Sequence, residues 1–143
     1  MKKVLMMAFV ATSLLFATSC SKDDEQKVFS GDSLKGTTWA ASVTESGTEE
    51  WDGEVYSYTF TTSMTLKFTT DTEGNVSGTM SETIAGQTHS ETFDPIAFTY
   101  SFDGHTVVMT DDDGESETLT LNSDKTALVG NWDGHQRISF YLQ

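Results

Sequence analysis

The sequence predicts an all-β fold, an antiparallel meander that closes into a roughly eight-stranded barrel. From Thr37 onward, apolar residues occupy every second position and Ser or Thr stands between them, which is the pattern of half-buried antiparallel strands. Short segments rich in Asp, Asn and Gly separate the runs, and no long amphipathic pattern interrupts them. Closing the meander would remove its exposed edges. A two-sheet β-sandwich is the alternative.

The alternating runs indicate a single domain over residues 37–143. Their apolar positions are, in chain order, Trp39-Ala41-Val43, Tyr56-Tyr58-Phe60, Met64-Leu66-Phe68, Val76-Gly78-Met80, Ile96-Phe98-Tyr100-Phe102, Val107-Met109, Leu119-Leu121, Leu128 and Ile138-Phe140-Leu142. Turn-forming residues follow at 71–75, 85–87, 103–104, 111–114 and 122–125. Gly, Asn and Asp there supply the positive φ angles that tight hairpins need. Because Val107 and Val108 are adjacent and both apolar, the sequence leaves open which of them faces inward on its strand.

The first 19 residues read as an export signal. Lys2 and Lys3 precede an apolar stretch over residues 4–17, and the small residues Thr18 and Ser19 end it. A membrane span needs about 20 apolar residues, so this stretch is too short, whereas its charged start and small-residue exit are typical of a secretory signal. We therefore expect residues 1–19 to be removed.

Cys20 follows directly and is the only cysteine, so no disulfide can form within the chain. Residues 17–20, Ala-Thr-Ser-Cys, resemble a bacterial lipobox, in which the thiol is acylated and cysteine becomes the new N-terminus. The resemblance implies an anchor of palmitate-type acyl chains in a membrane. The alternative is an ordinary buried thiol inside an uncleaved helix.

The acidic run over residues 21–25 resembles the signal that sends Bacteroidetes lipoproteins to the outer leaflet of the outer membrane. This implies an outer-membrane protein exposed at the cell surface, with the periplasmic leaflet as the alternative. A solvated tether explains the same residues. Residues 20–36 as a whole lack periodicity and read as a lipidated linker. Within it, Asp32-Ser33-Leu34 resembles the Bacteroidetes O-glycosylation acceptor, which makes Ser33 a candidate; equally, Asp32 or Ser33 caps one helical turn.

The strong negative charge excludes some partners. The chain has 22 Asp and Glu against 8 Lys and Arg, a formal charge of −14, which becomes −16 once Lys2 and Lys3 leave with the signal. Nucleic-acid binding needs clustered Lys and Arg, so we expect none. The same charge opposes adsorption to anionic lipid, which leaves the acyl chains as the anchor. We expect a monomer.

The start of the first strand carries a further resemblance. Residues 34–39, Leu-Lys-Gly-Thr-Thr-Trp, followed by an all-β meander, resemble the lipocalin-like (calycin-type) lipoproteins of Bacteroidetes. Lipocalins place a Gly-x-Trp tryptophan over the closed end of the barrel, and here the spacing from Gly36 to Trp39 is one residue longer. Arg137 is the candidate for the arginine that stacks on that tryptophan. The resemblance implies a small apolar ligand inside the barrel.

Two binding hypotheses follow, neither of them enzymatic. In the first, aromatic side chains line an interior pocket, although the same rings would also serve to fill a small barrel. These candidates are Trp39, Tyr58, Phe60, Phe68, Phe98, Tyr100 and Phe140. In the second, Trp51, Trp132 and the acidic loops contact a glycan, a host or envelope protein, or a secreted hydrolase. Burial of Trp51 as a lid would favour the first.

Catalytic and metal-binding motifs are lacking. The chain has no Gly-x-Ser-x-Gly elbow and no phosphate-binding glycine loop. Aligning the acidic run at residues 111–115 with an EF-hand puts Met109 and Thr120 at positions that need Asp and Glu. The three histidines lack metal-ligand spacing. We expect no enzyme, no cofactor and no metal.

Overall fold

Eight antiparallel strands close into a barrel in the computed structural model, which describes residues 26–132 and 135–143. The predicted all-β barrel is confirmed, and the sandwich is excluded. Cys20 and the predicted signal peptide lie outside the described residues. Among those described, no helix is suited to crossing a membrane. The strands are β1 (Thr38–Trp51), β2 (Glu54–Phe68), β3 (Glu73–Ile84), β4 (Gln87–Phe102), β5 (Thr106–Asp111), β6 (Ser116–Leu121), β7 (Ala127–Trp132) and β8 (His135–Leu142).

The strands differ in length, and this shapes the molecule. Strands β1–β4 have 12 to 16 residues, whereas β5–β8 have 6 to 8. Strand β4 pairs with β5 only over Phe98–Phe102, and β1 pairs with β8 only at Trp39 and Ala40. The long strands therefore continue past the barrel as an open four-stranded sheet. We call this sheet, residues 41–64 and 78–97, the overhang.

Side chains fill the closed part of the barrel. The apolar alternation turns one face of every strand inward, and the buried set includes Trp39, Leu66, Phe68, Phe98, Met109, Leu119, Leu128 and Phe140. The rings of Phe68, Phe98 and Tyr100 contact one another edge to face, with centroids 4.7 to 6.4 Å apart. The structure also shows which of the two adjacent valines faces the core: Val107 is buried and Val108 is exposed.

A short segment ahead of β1 closes one end of the barrel. Phe29 and Leu34 are both buried there, although the sequence marks their segment as a linker. The Phe29 ring lies 5.8 Å from that of Trp39, and its backbone N–H donates to the Lys125 carbonyl at 2.7 Å. Trp39 Nε1 donates to Thr37 Oγ1 at 2.8 Å. We call this the plugged end.

Three expectations about single residues change. Trp132, a candidate surface contact, is only 3 % exposed, because it faces inward on β7 and its ring lies 5.2 Å from that of Phe140. Arg137 is exposed and lies five positions along β8 from Leu142, the partner of Trp39, about 17 Å away. It therefore does not stack on Trp39. Ser33 caps a tight turn and not a helical one, since its Oγ accepts the Lys35 N–H at 3.2 Å, and its hydroxyl donates to Asp71 at 2.8 Å.

The outer face of the overhang is a grid of hydroxyl groups. Neighbouring strands place Ser and Thr side by side, for example Thr44 with Thr61, whose Oγ1 atoms are 3.0 Å apart, and Ser81 with Ser90, whose Oγ atoms are 2.7 Å apart. Cross-strand hydroxyl pairs of this kind stabilise antiparallel sheets. The outer surface, which the sequence predicts to be solvent-exposed, is thus polar but uncharged over most of this sheet.

Candidate functional site

An open cleft lies between the tips of the two long hairpins, at the opposite end of the molecule from the plugged end. Its volume is about 670 Å³, within the range of small-ligand sites. We call it the mouth cleft. Its lining consists of Trp51, Asp52, Tyr56, Glu82, Ile84, Ala85, Gln87, Thr88 and His89.

Two tight turns position the mouth cleft. Asp52-Gly53 joins β1 to β2 and Ala85-Gly86 joins β3 to β4, and all four residues have positive φ angles between 49° and 80°. This is the two-residue hairpin geometry that continues the twist of its strands. Each turn is flanked by a directly opposed pair, Trp51 with Glu54 and Ile84 with Gln87. The turns therefore fix which side chains reach the cleft.

The apolar side chains that line the cleft are exposed to an unusual degree. Strand alternation puts Trp51, Tyr56 and Ile84 on the face that continues the barrel interior. The short strands β5–β8 do not extend to this part of the overhang and leave the face uncovered, so Trp51 is 76 % and Ile84 42 % exposed. Exposed apolar side chains in a concave site are typical of recognition surfaces. Trp51 is consequently not a buried lid.

Polar groups border these walls. The Tyr56 hydroxyl donates to Glu54 Oε2 at 2.5 Å, and this hydrogen bond to the carboxylate, with a smaller contribution from burial, raises the pKa of Tyr56 above its usual value. His89 Nε2 lies 3.2 Å from Glu91 Oε1 on the same face of β4. The cleft thus offers carboxylates, an amide at Gln87 and an imidazole beside its rings.

The overhang that carries the cleft is strongly acidic. It contains no Lys or Arg. Its eight carboxylates are Glu45, Glu49, Glu50, Asp52, Glu54, Glu82, Glu91 and Asp94. A field of one sign attracts ligands of the opposite charge and repels those of the same charge. The cleft is therefore suited to neutral or cationic ligands and unsuited to fatty acids or phosphates.

The candidate interior residues separate into two groups. Trp39, Phe68, Phe98, Tyr100 and Phe140 are buried together in the closed part of the barrel. There the Tyr100 hydroxyl donates to the Thr70 carbonyl at 2.7 Å, so its polar tip already has a partner. Tyr58 and Phe60 are half-buried in the overhang.

Only Trp51 among the sequence-predicted site residues lines the mouth cleft. Sequence reasoning missed Tyr56, Glu82, Ile84, Gln87 and His89. The one available signal was the pair of two-residue turns, which place the ends of four strands side by side. The alternation of apolar residues fades in these strand ends, because no core faces them.

The acidic turn at residues 111–115 is organised by hydrogen bonds. Asp111 Oδ1 accepts the backbone N–H groups of Asp113 at 3.1 Å and Glu115 at 2.9 Å. Within residues 26–132 and 135–143, no three His, Cys, Asp or Glu side chains are grouped so that they could hold a metal ion.

Comparison with known proteins gives no guide to the ligand. No protein-family model, curated protein or solved structure matches the chain. The chemistry of the mouth cleft and the route by which the chain enters the barrel are therefore the observations that bear on function.

Proposed function

We propose that this protein is a non-catalytic binding protein, tethered to the cell envelope by a lipid on Cys20, which takes its ligand at the mouth cleft. The observation that carries the proposal is Trp51, 76 % exposed in a cleft of about 670 Å³. It favours surface recognition over carriage of a small apolar molecule inside the barrel. The resemblance to lipocalin-like Bacteroidetes lipoproteins supports the envelope address, with display on the outer membrane.

The packing of the closed part of the barrel supports a site at the mouth. Trp39, Phe68 and Phe140 have no exposed surface, and Leu66 and Leu128, which pair with Trp39 and Phe140, are equally buried. A ligand inside would have to displace such rings from close-packed positions, and repacking a core typically costs about 1–3 kcal/mol or more. A ligand at the mouth displaces only water.

The position of the N-terminal segment agrees with a tether. The chain reaches the barrel at Phe29, at the plugged end, and β1 then runs over 14 residues to the mouth, about 45 Å along the strand. A lipid on Cys20 would hold the plugged end toward the membrane. The mouth cleft would face outward, where a soluble or surface-bound ligand can reach it.

The ligand class follows from the lining. Trp51 and Tyr56 offer ring faces, and the carboxylates around them offer negative charge. A cation over an aromatic face gains about 0.5–1 kcal/mol at exposed sites, and more once desolvated. We therefore expect a ligand with an apolar part and positive charge.

Tryptophan fluorescence tests the proposal, because Trp39 and Trp132 are buried and Trp51 is not. A soluble chain of residues 26–143 contains every strand and the plug. We expect acrylamide to quench mainly Trp51. The acetylated, amidated peptide of alternating lysine and valine should reduce that quenching, whereas its glutamate–valine counterpart should not.

A matched variant assigns the site. Trp51→Ala should abolish the response and weaken peptide binding at least tenfold, while Val55→Ala, at another exposed apolar position near the same turn, should leave affinity unchanged. Equal protection of Trp51 by both peptides, or by neither, would contradict the proposal. Binding of a neutral apolar dye gives the opposite test. If Phe68→Trp abolished dye binding and Trp51→Ala did not, the result would instead support carriage inside the barrel.

A further inference from the structure

We propose that β1 accepts an extended, cationic peptide segment as an added strand along its outer edge. This inference rests on the proposed function, because it names the ligand of the mouth cleft and its binding mode. From Ala41 to Trp51, β1 pairs with β2 on one side and with no other strand among the described residues. An edge of this kind is a template for another chain.

The hairpin register identifies the groups on that edge. Trp51 and Glu54 flank a two-residue turn and so form a hydrogen-bonded pair, after which hydrogen-bonded and non-hydrogen-bonded pairs alternate. The even-numbered residues of β1 therefore direct their N–H and C=O groups outward. Thr38 fits this pattern, since its carbonyl accepts the Gln143 N–H at 2.9 Å across the β8 seam.

Five residues continue the outward set beyond the seam: Ser42, Thr44, Ser46, Thr48 and Glu50. Each presents one donor and one acceptor, at a repeat of about 6.8 Å along the strand. Such a ladder matches the backbone of an extended peptide of about nine residues. The upper end of the ladder is adjacent to Trp51 in the mouth cleft.

Unlike the edge of β4, the edge of β1 has no proline and no bulge, and its only charged residues are carboxylates. Exposed edges are commonly blunted by proline, lysine or a bulge. The other edge of the overhang has Pro95 in β4, beside an irregular register between Val76 and Gly78. Strand β1 over residues 41–51 has neither Pro nor Lys, and its register with β2 is unbroken.

Charge selects the partner. The overhang has eight carboxylates and no Lys or Arg, so pairing of β1 with a second copy would bring two strongly negative sheets together. A segment with lysine at alternate positions instead places its ammonium groups on the face of Glu49 and Trp51. Its remaining side chains then lie beside the hydroxyl grid of the outer face.

Backbone methylation tests strand addition without altering the protein. We would use an acetylated, amidated decapeptide of alternating lysine and threonine, five of each, and its two N-methylated isomers, one methylated at all lysine amides and one at all threonine amides. Charge and side chains are identical in the two isomers. Only one set of amides faces β1 in a paired strand, so we expect one isomer to bind as the parent does and the other at least tenfold more weakly.

Matched proline variants locate the edge. Ser46→Pro removes an outward N–H of β1, and Ser90→Pro removes an outward N–H of β4, since Ser81 and Ser90 form the equivalent non-hydrogen-bonded pair. Peptide affinity should fall at least tenfold for Ser46→Pro and stay unchanged for Ser90→Pro. Circular dichroism checks that both variants fold, and the isomer comparison decides the matter if one does not.

The outcomes separate the two proposals. If the parent peptide protects Trp51 but both isomers bind equally, strand addition is overturned while the mouth cleft stands. If no cationic peptide protects Trp51, the proposed function fails as well. A stable dimer in sedimentation that Ser46→Pro dissociates would show that a second copy occupies the edge and would overturn the peptide proposal.

Discussion

Removing the ring of Phe29 tests whether the segment ahead of β1 belongs to the folded domain. The side chain is 5 % exposed, and its ring lies 5.8 Å from that of Trp39 and 6.1 Å from that of Phe102. Truncating a buried Phe to Ala costs about 3–5 kcal/mol. A domain is stabilised by about 5–15 kcal/mol in total, so Phe29→Ala should remove a large share of the stability.

Urea unfolding of the soluble chain, residues 26–143, measures this loss. With a slope of about 1–3 kcal/mol per molar urea, the midpoint should fall by more than about 1 M. Val28 is the matched control, because it is adjacent and 60 % exposed; Val28→Ala should change the free energy of unfolding by less than about 0.5 kcal/mol. A soluble chain that begins at Gly31 should behave like Phe29→Ala. A loss below about 1 kcal/mol for Phe29→Ala would refute the plug.

Three further predictions concern turns, close contacts and alkaline pH. Ala85 has φ 49° in the β3–β4 turn, so Ala85→Asn should stabilise the domain by about 0.5–1 kcal/mol, seen as a higher Tm; a lower Tm would contradict the turn geometry. An added Cβ at Gly78 would lie 2.2 Å from the Ser63 carbonyl oxygen, so Gly78→Ala should lose about 1–3 kcal/mol, against no measurable loss for Ser77→Ala. Burial, followed by the charge of Asp71, raises the pKa of Tyr100. Above about pH 10 the unfolded chain therefore loses a proton that the native chain retains, and stability falls as pH rises toward the native pKa. Tyr100→Phe should reduce this fall in urea unfolding at pH 11 relative to pH 8, and an unchanged fall would argue against it.

The barrel was predictable because its determinant is local. Inward residues such as Leu66, Met109 and Phe140 alternate with Ser and Thr, and this period survives wherever a strand faces the core. Most of the turns were visible for the same reason, since Gly and Asp at fixed places report backbone angles, but the Asp52-Gly53 turn was not among those predicted.

The candidate site was not predictable from the same signals. The upper parts of β1 and β4 face no core, so they carry no apolar period, and their sequences resemble loops until the pairing register is known. Phe29 was missed because a plug inserts one isolated side chain, which has no period. Trp132 was read as exposed because a single ring beside Asp133 and Gly134 carries no phase information.

Barrel closure has a consequence for folding kinetics. Seven strand interfaces join sequence neighbours, and only the seam joins β1 to β8. That seam has two residue pairs, Trp39 with Leu142 and Ala40 with Tyr141. Local hairpins form in microseconds, whereas closure across about 100 residues must first overcome loop entropy. The long hairpins should therefore form early, and their apolar face stays open to aggregation until the last strand of the chain docks.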